Sequence, residues 1–131
     1  MAGQITYTVN DSVQTSAGNP LSASHLLVGS VLQTINENLA AGGSGVLQAN
    51  SWTPPGTAAG NLVAIFLLSN QPMVIHTNNQ ATPQDVVNLS AGIAFLWDAQ
   101  NGFPYPFAGA VTALYLTNTN AANFRGLILT Y

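Results

Sequence analysis

Ile5, Tyr7 and Val9 alternate with Thr6 and Thr8, the period-2 pattern of a strand buried on one face. Asn10-Asp11 and Ser16–Pro20 favour turns, so residues 1–20 read as an N-terminal strand and an arm able to lie on a neighbouring subunit. Residues 21–53 carry two patterns at once. Val28, Val31, Leu32, Ile35 and Leu39 fall at helical spacing, with Ser30 and Gln33 placed as a capping box. The same stretch is rich in β-branched residues. It supports a hairpin of His25–Asn36 against Gly45–Thr53, turning at Gly42-Gly43-Ser44-Gly45 with Gly29 as a bulge. The strand-rich surroundings favour the hairpin, which Pro54-Pro55-Gly56 would end.

Downstream the pattern is β throughout. Leu62 to Leu68 is apolar on both faces, as expected of a central strand or of one covered by a partner. Left bare it would be an aggregation site. Met73–Thr77, Val86–Leu89 and Ile93–Asp98 follow as short strands, the last containing Trp97. A loop over residues 99–109 leads into two closing strands, Val111–Thr117 and Phe124–Tyr131. About eight short strands at roughly 8–15-residue spacing, punctuated by Gly, Pro and Asn, argue for an antiparallel β-sandwich of the jelly-roll kind. The expected organisation is all-β, with the N-terminal strand and arm (1–20) and a sandwich (21–131) forming one domain.

Composition then narrows the function. The chain has 131 residues, and only 4% of them are charged, against about 25% in an ordinary soluble domain. Asp11, Glu37, Asp85, Asp98 and Arg125 are the only charged side chains, and the net charge is −3. One arginine cannot neutralise a run of phosphates, so nucleic acid is not an expected partner. With no cysteine there is no disulfide framework, thiolate metal site or thiol nucleophile. The apolar runs are far short of the ~18–20 residues that span a bilayer, and the first residues lack the pattern of a secretory signal. Synthesis in the cytoplasm without export by the usual route, and no membrane partner, are therefore expected. Asn, Gln, Ser and Thr supply the polarity instead of charge. Such a surface suits a working state in which identical copies pack together, where like charges would meet at every repeat.

Catalysis is poorly provisioned. The four carboxylates and two histidines are far apart in sequence and match no hydrolase, zinc-protease or P-loop motif. An Asp98–His76 pair is conceivable in a sandwich, but Asp98 is better read as solvating the surface. His25 and His76 each lack a second ligand at metal-like spacing, and no loop gathers the carboxylates that calcium needs. No catalytic residue, metal or cofactor is expected.

Contact is better provided for. In Phe103-Pro104-Tyr105-Pro106-Phe107 the prolines hold three rings stiffly, so little entropy is lost when they dock. The loop reads as an anchor into a neighbouring subunit, as a sugar-stacking platform, or as a lid over one end of the core with Trp97 beneath. Trp52, next to Pro54-Pro55, carries the same readings. Arg125, the sole strong cation, reads either as a solvated residue or as an ion-pair partner across a subunit contact, with Asp98 or Glu37 as the acid. Trp52, Phe103, Tyr105, Phe107 and Arg125 are thus the candidate partner-binding residues.

From Leu26 onward the chain resembles small virion structural proteins of tailed bacteriophages. The resemblance lies in an order of elements. Leu27-Val28-Gly29 leads to the Gly-rich turn and Gly45-Val46-Leu47-Gln48, then to the apolar strand Leu62–Leu68 with Pro72 after it. Val86–Leu89, the Trp97 strand and Pro106-Phe107-Ala108 follow, and Ala113-Leu114-Tyr115-Leu116-Thr117-Asn118 precedes an apolar C-terminal strand. It implies a non-enzymatic β-sandwich that decorates or cements a phage head, as a homotrimer or other ring, with the major capsid protein as partner and the virion as its location. A receptor- or carbohydrate-binding module with a glycan partner, and a tail or neck adaptor, are the alternative expectations.

Overall fold

The computed structural model describes residues 4–13, 21–42, 44–52 and 61–131, with the side chains of 11–13, 21–22 and 44–52 excepted. Among these residues every regular element is a strand: β1 (Ile5–Val13), β2 (Leu21–Gly29), β3 (Val31–Leu39), β4 (Ser44–Trp52), β5 (Leu62–Ser69), β6 (Met73–Thr77), β7 (Val86–Leu89), β8 (Phe95–Asp98), β9 (Val111–Asn118) and β10 (Ala122–Thr130). The expected turn at Ser16–Pro20, Gly43 and the Pro54-Pro55-Gly56 segment lie outside the described residues. Local sequence accounts for most of these elements. In β6, for example, Met73, Ile75 and Thr77 are buried while Val74 and His76 are only half-buried, the alternation of a strand with one face on a core.

The pairing is nested. β3 pairs with β10, β4 with β9, β5 with β8 and β6 with β7, all antiparallel. The strands β3 to β6 therefore pair in reverse order with β10 to β7, and this nested double strand turns at the 78–85 loop. Two further antiparallel pairs, β10 with β5 and β9 with β6, gather it into two four-stranded sheets. Sheet I has the order β3-β10-β5-β8 and sheet II the order β4-β9-β6-β7. β1 and β2 form a separate two-stranded hairpin in unbroken register from Ile5↔Gly29 to Val13↔Leu21.

This topology corrects the sequence reading of residues 21–53. The described elements of that stretch are the strands β2, β3 and β4, which removes the helix, but β3 and β4 do not pair and belong to different sheets. Each finds its partner far along the chain, β3 along its whole length with β10 and β4 with β9. A period-2 pattern shows which residues share a face and carries no information about which strand lies alongside. Gly29 ends β2 and is not a bulge.

The bulge lies elsewhere and sorts the side chains of β5. Register shifts between Leu129 and Thr130, so that Ala64 opposes Leu129 and Leu62 opposes Thr130, leaving Val63 extra. Leu62, Ile65 and Leu67 consequently join a core cluster with Phe124 and Ile128 of sheet I and Ile75, Val111, Leu114 and Leu116 of sheet II. Both sheets thus bury side chains in one core. Val63, Ala64, Leu129 and Leu27 form a second cluster on the far face of sheet I, where Ile5, Tyr7, Val9, Leu32 and Leu127 pack on it. The two-faced apolarity of Leu62–Leu68 follows directly, because β5 is central in sheet I and lies beneath the β1–β2 hairpin of its own chain. Each large apolar side chain fully buried in this way contributes roughly 1.5–3 kcal/mol.

Gly29 lets the hairpin come this close. A Cβ there would lie 2.7 Å from Leu129 Cγ and 2.8 Å from the Thr130 carbonyl oxygen, which itself accepts the Ser30 N–H at 2.9 Å. Gly29→Ala is therefore expected to lower the unfolding free energy by about 1–3 kcal/mol, the usual effect of overpacking. Equilibrium urea denaturation measures this, and an unchanged midpoint would show that the hairpin moves aside freely.

Candidate interaction surface

The aromatic loop after β8 closes over one end of the shared core. Trp97 is buried, and its Nε1–H donates to the Phe103 carbonyl at 3.2 Å. Tyr105 stands edge-on to Trp97, with centroids 5.8 Å apart and planes at 84°. Its hydroxyl donates to the Gly109 carbonyl at 2.7 Å. Phe107 is only 6% exposed, within the core cluster, and contacts both Tyr105 and Phe95. Of the loop's three rings, Phe103 alone projects, at 72% exposure. The Trp52 side chain lies outside the described residues.

Asp85 and Asp98 are both committed to internal work. Asp85 accepts from the Ala108 N–H at 2.9 Å and the Thr77 hydroxyl at 3.1 Å, tying the 78–85 loop to the aromatic loop. Asp98 is 2% exposed, which corrects its reading as a surface-solvating residue. Its partner is His25, at 3.0 Å, and not His76. His76 donates through Nδ1 to the Gln80 carbonyl instead. The other Asp98 oxygen accepts the Gln100 N–H at 2.8 Å, and the Gln100 side chain donates to the Leu26 carbonyl at 2.8 Å. His25, Asp98 and Gln100 thus fasten β2 to the end of β8. His25 and Asp98 are 73 residues apart in sequence, so no spacing motif could have announced them. Among the described residues no group of three or more His, Cys, Asp or Glu side chains could hold a metal ion.

The hairpin covers only part of sheet I. Beside β1 an open groove of about 270 Å³ runs over the far face, with Tyr7, Val9, Phe66, Leu96 and Leu127 among its walls. No charged side chain lines it. Leu96 and Leu26 are 45% and 50% exposed. The sequence reading missed this groove. Phe66, Leu96 and Leu127 are consecutive in space through the Phe66↔Leu96 and Leu127↔Phe66 pairs, but three separate segments supply them.

Arg125 lies farther along the same face. Phe124 and Ile128 point to the core while Leu127 and Leu129 point away, and the alternation places Arg125 with the latter pair. Its Nε–H donates to Asn123 Oδ1 at 2.8 Å. Asn123 is held in turn: its amide donates to Asn38 Oδ1 at 2.6 Å, and its backbone N–H donates to Asn70 Oδ1 at 2.7 Å. Arg125, Asn123 and Asn70 line a second cavity of about 280 Å³ with Leu68, Ser69 and Gly92.

Compared with known proteins, the chain matches no family model, no curated protein and no solved structure. What the surface can do must come from its own chemistry. It offers apolar area, amides and one guanidinium, which can dock a partner.

The β2–β8 fastening can be tested directly. In Asp98→Ala, amide hydrogen exchange in β1 and β2 is expected to quicken tenfold or more, about 1.4 kcal/mol of lost opening free energy, with little change in β9. Equal acceleration in all strands would show that Asp98 supports the fold as a whole and not the hairpin.

Proposed function

We propose that this chain is a non-enzymatic structural protein whose working state is an assembly of identical copies, and specifically a decoration (cement) protein of a tailed-phage head. The observation that carries this reading is the far face of sheet I, which the chain's own hairpin leaves half covered. An apolar groove with the exposed Leu96 in its wall is a poor surface for a solitary protein and a good one for a neighbour. The scarcity of charge supports the same reading, because a second copy can be laid over the groove, which no charged side chain lines, without desolvating ions.

The fold is in keeping with that role. We take sheets I and II to form a jelly-roll sandwich, supported by the four nested pairs and by one core fed from both sheets. Jelly rolls serve in viral shells and also in lectins and cupins, so the architecture raises the prior and does not by itself assign the function. The aromatic loop favours assembly over sugar stacking. Tyr105 and Phe107 turn their rings inward, leaving Phe103 to project alone. In a homotrimer or larger ring on the shell of the major capsid protein, many modest contacts would add through avidity.

Sedimentation velocity over a rising concentration series, followed by pelleting with empty phage heads, tests the proposal. The wild type is expected to form a discrete oligomer and to co-sediment with shells. Leu96→Glu, an exposed position in the groove wall, is expected to weaken self-association tenfold or more while leaving the thermal unfolding midpoint near its original value. A wild type that stays monomeric throughout and ignores shells would overturn the reading.

A further inference from the structure

Among the charged side chains that the structure describes, each can be traced to a use except two. Asp85 and Asp98 are held by internal hydrogen bonds, and the side chain of Asp11 lies outside the described residues. Glu37 is exposed on β3, and among the described residues its carboxylate makes no hydrogen bond or ion pair. Arg125 is exposed on β10, and among the described residues only its Nε–H is engaged. The rest of its guanidinium is free. A chain with five charged side chains leaves one free acid and one free base on its described surface.

They cannot meet within one molecule. Arg125 opposes Asn36 and Phe124 opposes Glu37 in the β10–β3 register. Successive residues point to opposite faces of a sheet, so Arg125 lies on the far face of sheet I while Glu37 is on the core side of its edge strand. Ile35 and Leu39, two residues either side of Glu37, confirm that orientation by packing with the shared core.

From this arrangement we infer that Arg125 of one copy receives Glu37 of the next. The inference rests on the assembly proposed above and adds its geometry. The Arg125 side is built to accept a carboxylate. Asn123 fixes the guanidinium through Nε, and Asn38 and Asn70 fix Asn123, so the remaining N–H fork is pre-oriented for a bidentate acid. Asn70 lines the same cavity. Its Oδ1 is used, and its amide N–H₂ is free among the described residues, adding a donor beside the guanidinium. No carboxylate lines the cavity to compete. Because Arg125 and Glu37 belong to different surfaces, the contact is heterologous. It closes into a ring, or runs on as a filament if the rotation does not close.

Charge exchange tests the pair. Arg125→Glu alone and Glu37→Arg alone each set like charges against one another, and each is expected to lose self-affinity tenfold or more in sedimentation velocity. Both residues are exposed, and circular dichroism checks that each variant is folded. In an equimolar mixture of the two variants every contact between unlike copies restores an opposite-charge pair, which an even-membered ring or a filament can satisfy throughout and a trimer cannot. The double variant carrying both exchanges restores the pair at every contact whatever the ring size, and it is expected to recover the wild-type oligomer. Wild-type affinity in Arg125→Glu, or failure of the double variant to recover, overturns the pair while leaving assembly by the apolar face standing. A wild type that never associates overturns both.

Discussion

Sheet I has apolar side chains on both faces, and the rest of the molecule is arranged around that constraint. One face is satisfied by the core it shares with sheet II. The other needs a cover, and the chain supplies its own by folding β1 and β2 back over β5 and β10. Three local features follow from that cover. The bulge at Val63 sends Leu62 to one face and Val63 to the other. Gly29 allows the hairpin backbone to approach Leu129 and Thr130. Asp98, at the end of β8, reaches His25 to fasten the cover down. The hairpin is too narrow for the whole sheet, and the groove beside Tyr7 and Leu96 is what it leaves open.

Where most proteins would place ion pairs, this one uses amides and hydroxyls. Asn78 illustrates the substitution. It sits in the left-handed region at φ 64, accepts the Thr112 N–H, and donates to the Ala110 carbonyl. The loop that turns the long double strand is thereby pinned to the start of β9. Asn118 works similarly between Ala40 and Asn120. Such bonds are short-ranged and almost insensitive to salt, so they fix local geometry without creating a field that neighbouring copies would feel. Arg125 and Glu37 are exceptions that matter because so little else on the surface is charged.

Strand positions were largely legible in the sequence, and strand partners were not. Met73–Thr77 has the expected bounds, and Leu62–Leu68 is the central strand its pattern implied. The alternation in both cases is a local property set by burial on one face or two. The pairing of β3 with β10 rests on complementarity between segments separated by most of the chain, which no local pattern records. The His25–Asp98 contact was hidden for the same reason, as was the groove, whose walls come from β1, β2, β5, β8 and β10. The aromatic loop was legible as a unit, but the division of labour within it, with Phe103 outside and Phe107 inside, depends on where Trp97 and Phe95 stand.

The nested order of strands also has a consequence in time. β10, the last of the described strands in chain order, is inserted between β3 and β5, so sheet I cannot close until β10 has been made. Until then β5 emerges with two greasy sides and no neighbour on the β10 flank. Topologies ruled by distant pairings fold slowly, in milliseconds to seconds. The nascent polypeptide is therefore vulnerable to clumping until β10 is made, and its safe maturation depends on those nine residues arriving intact.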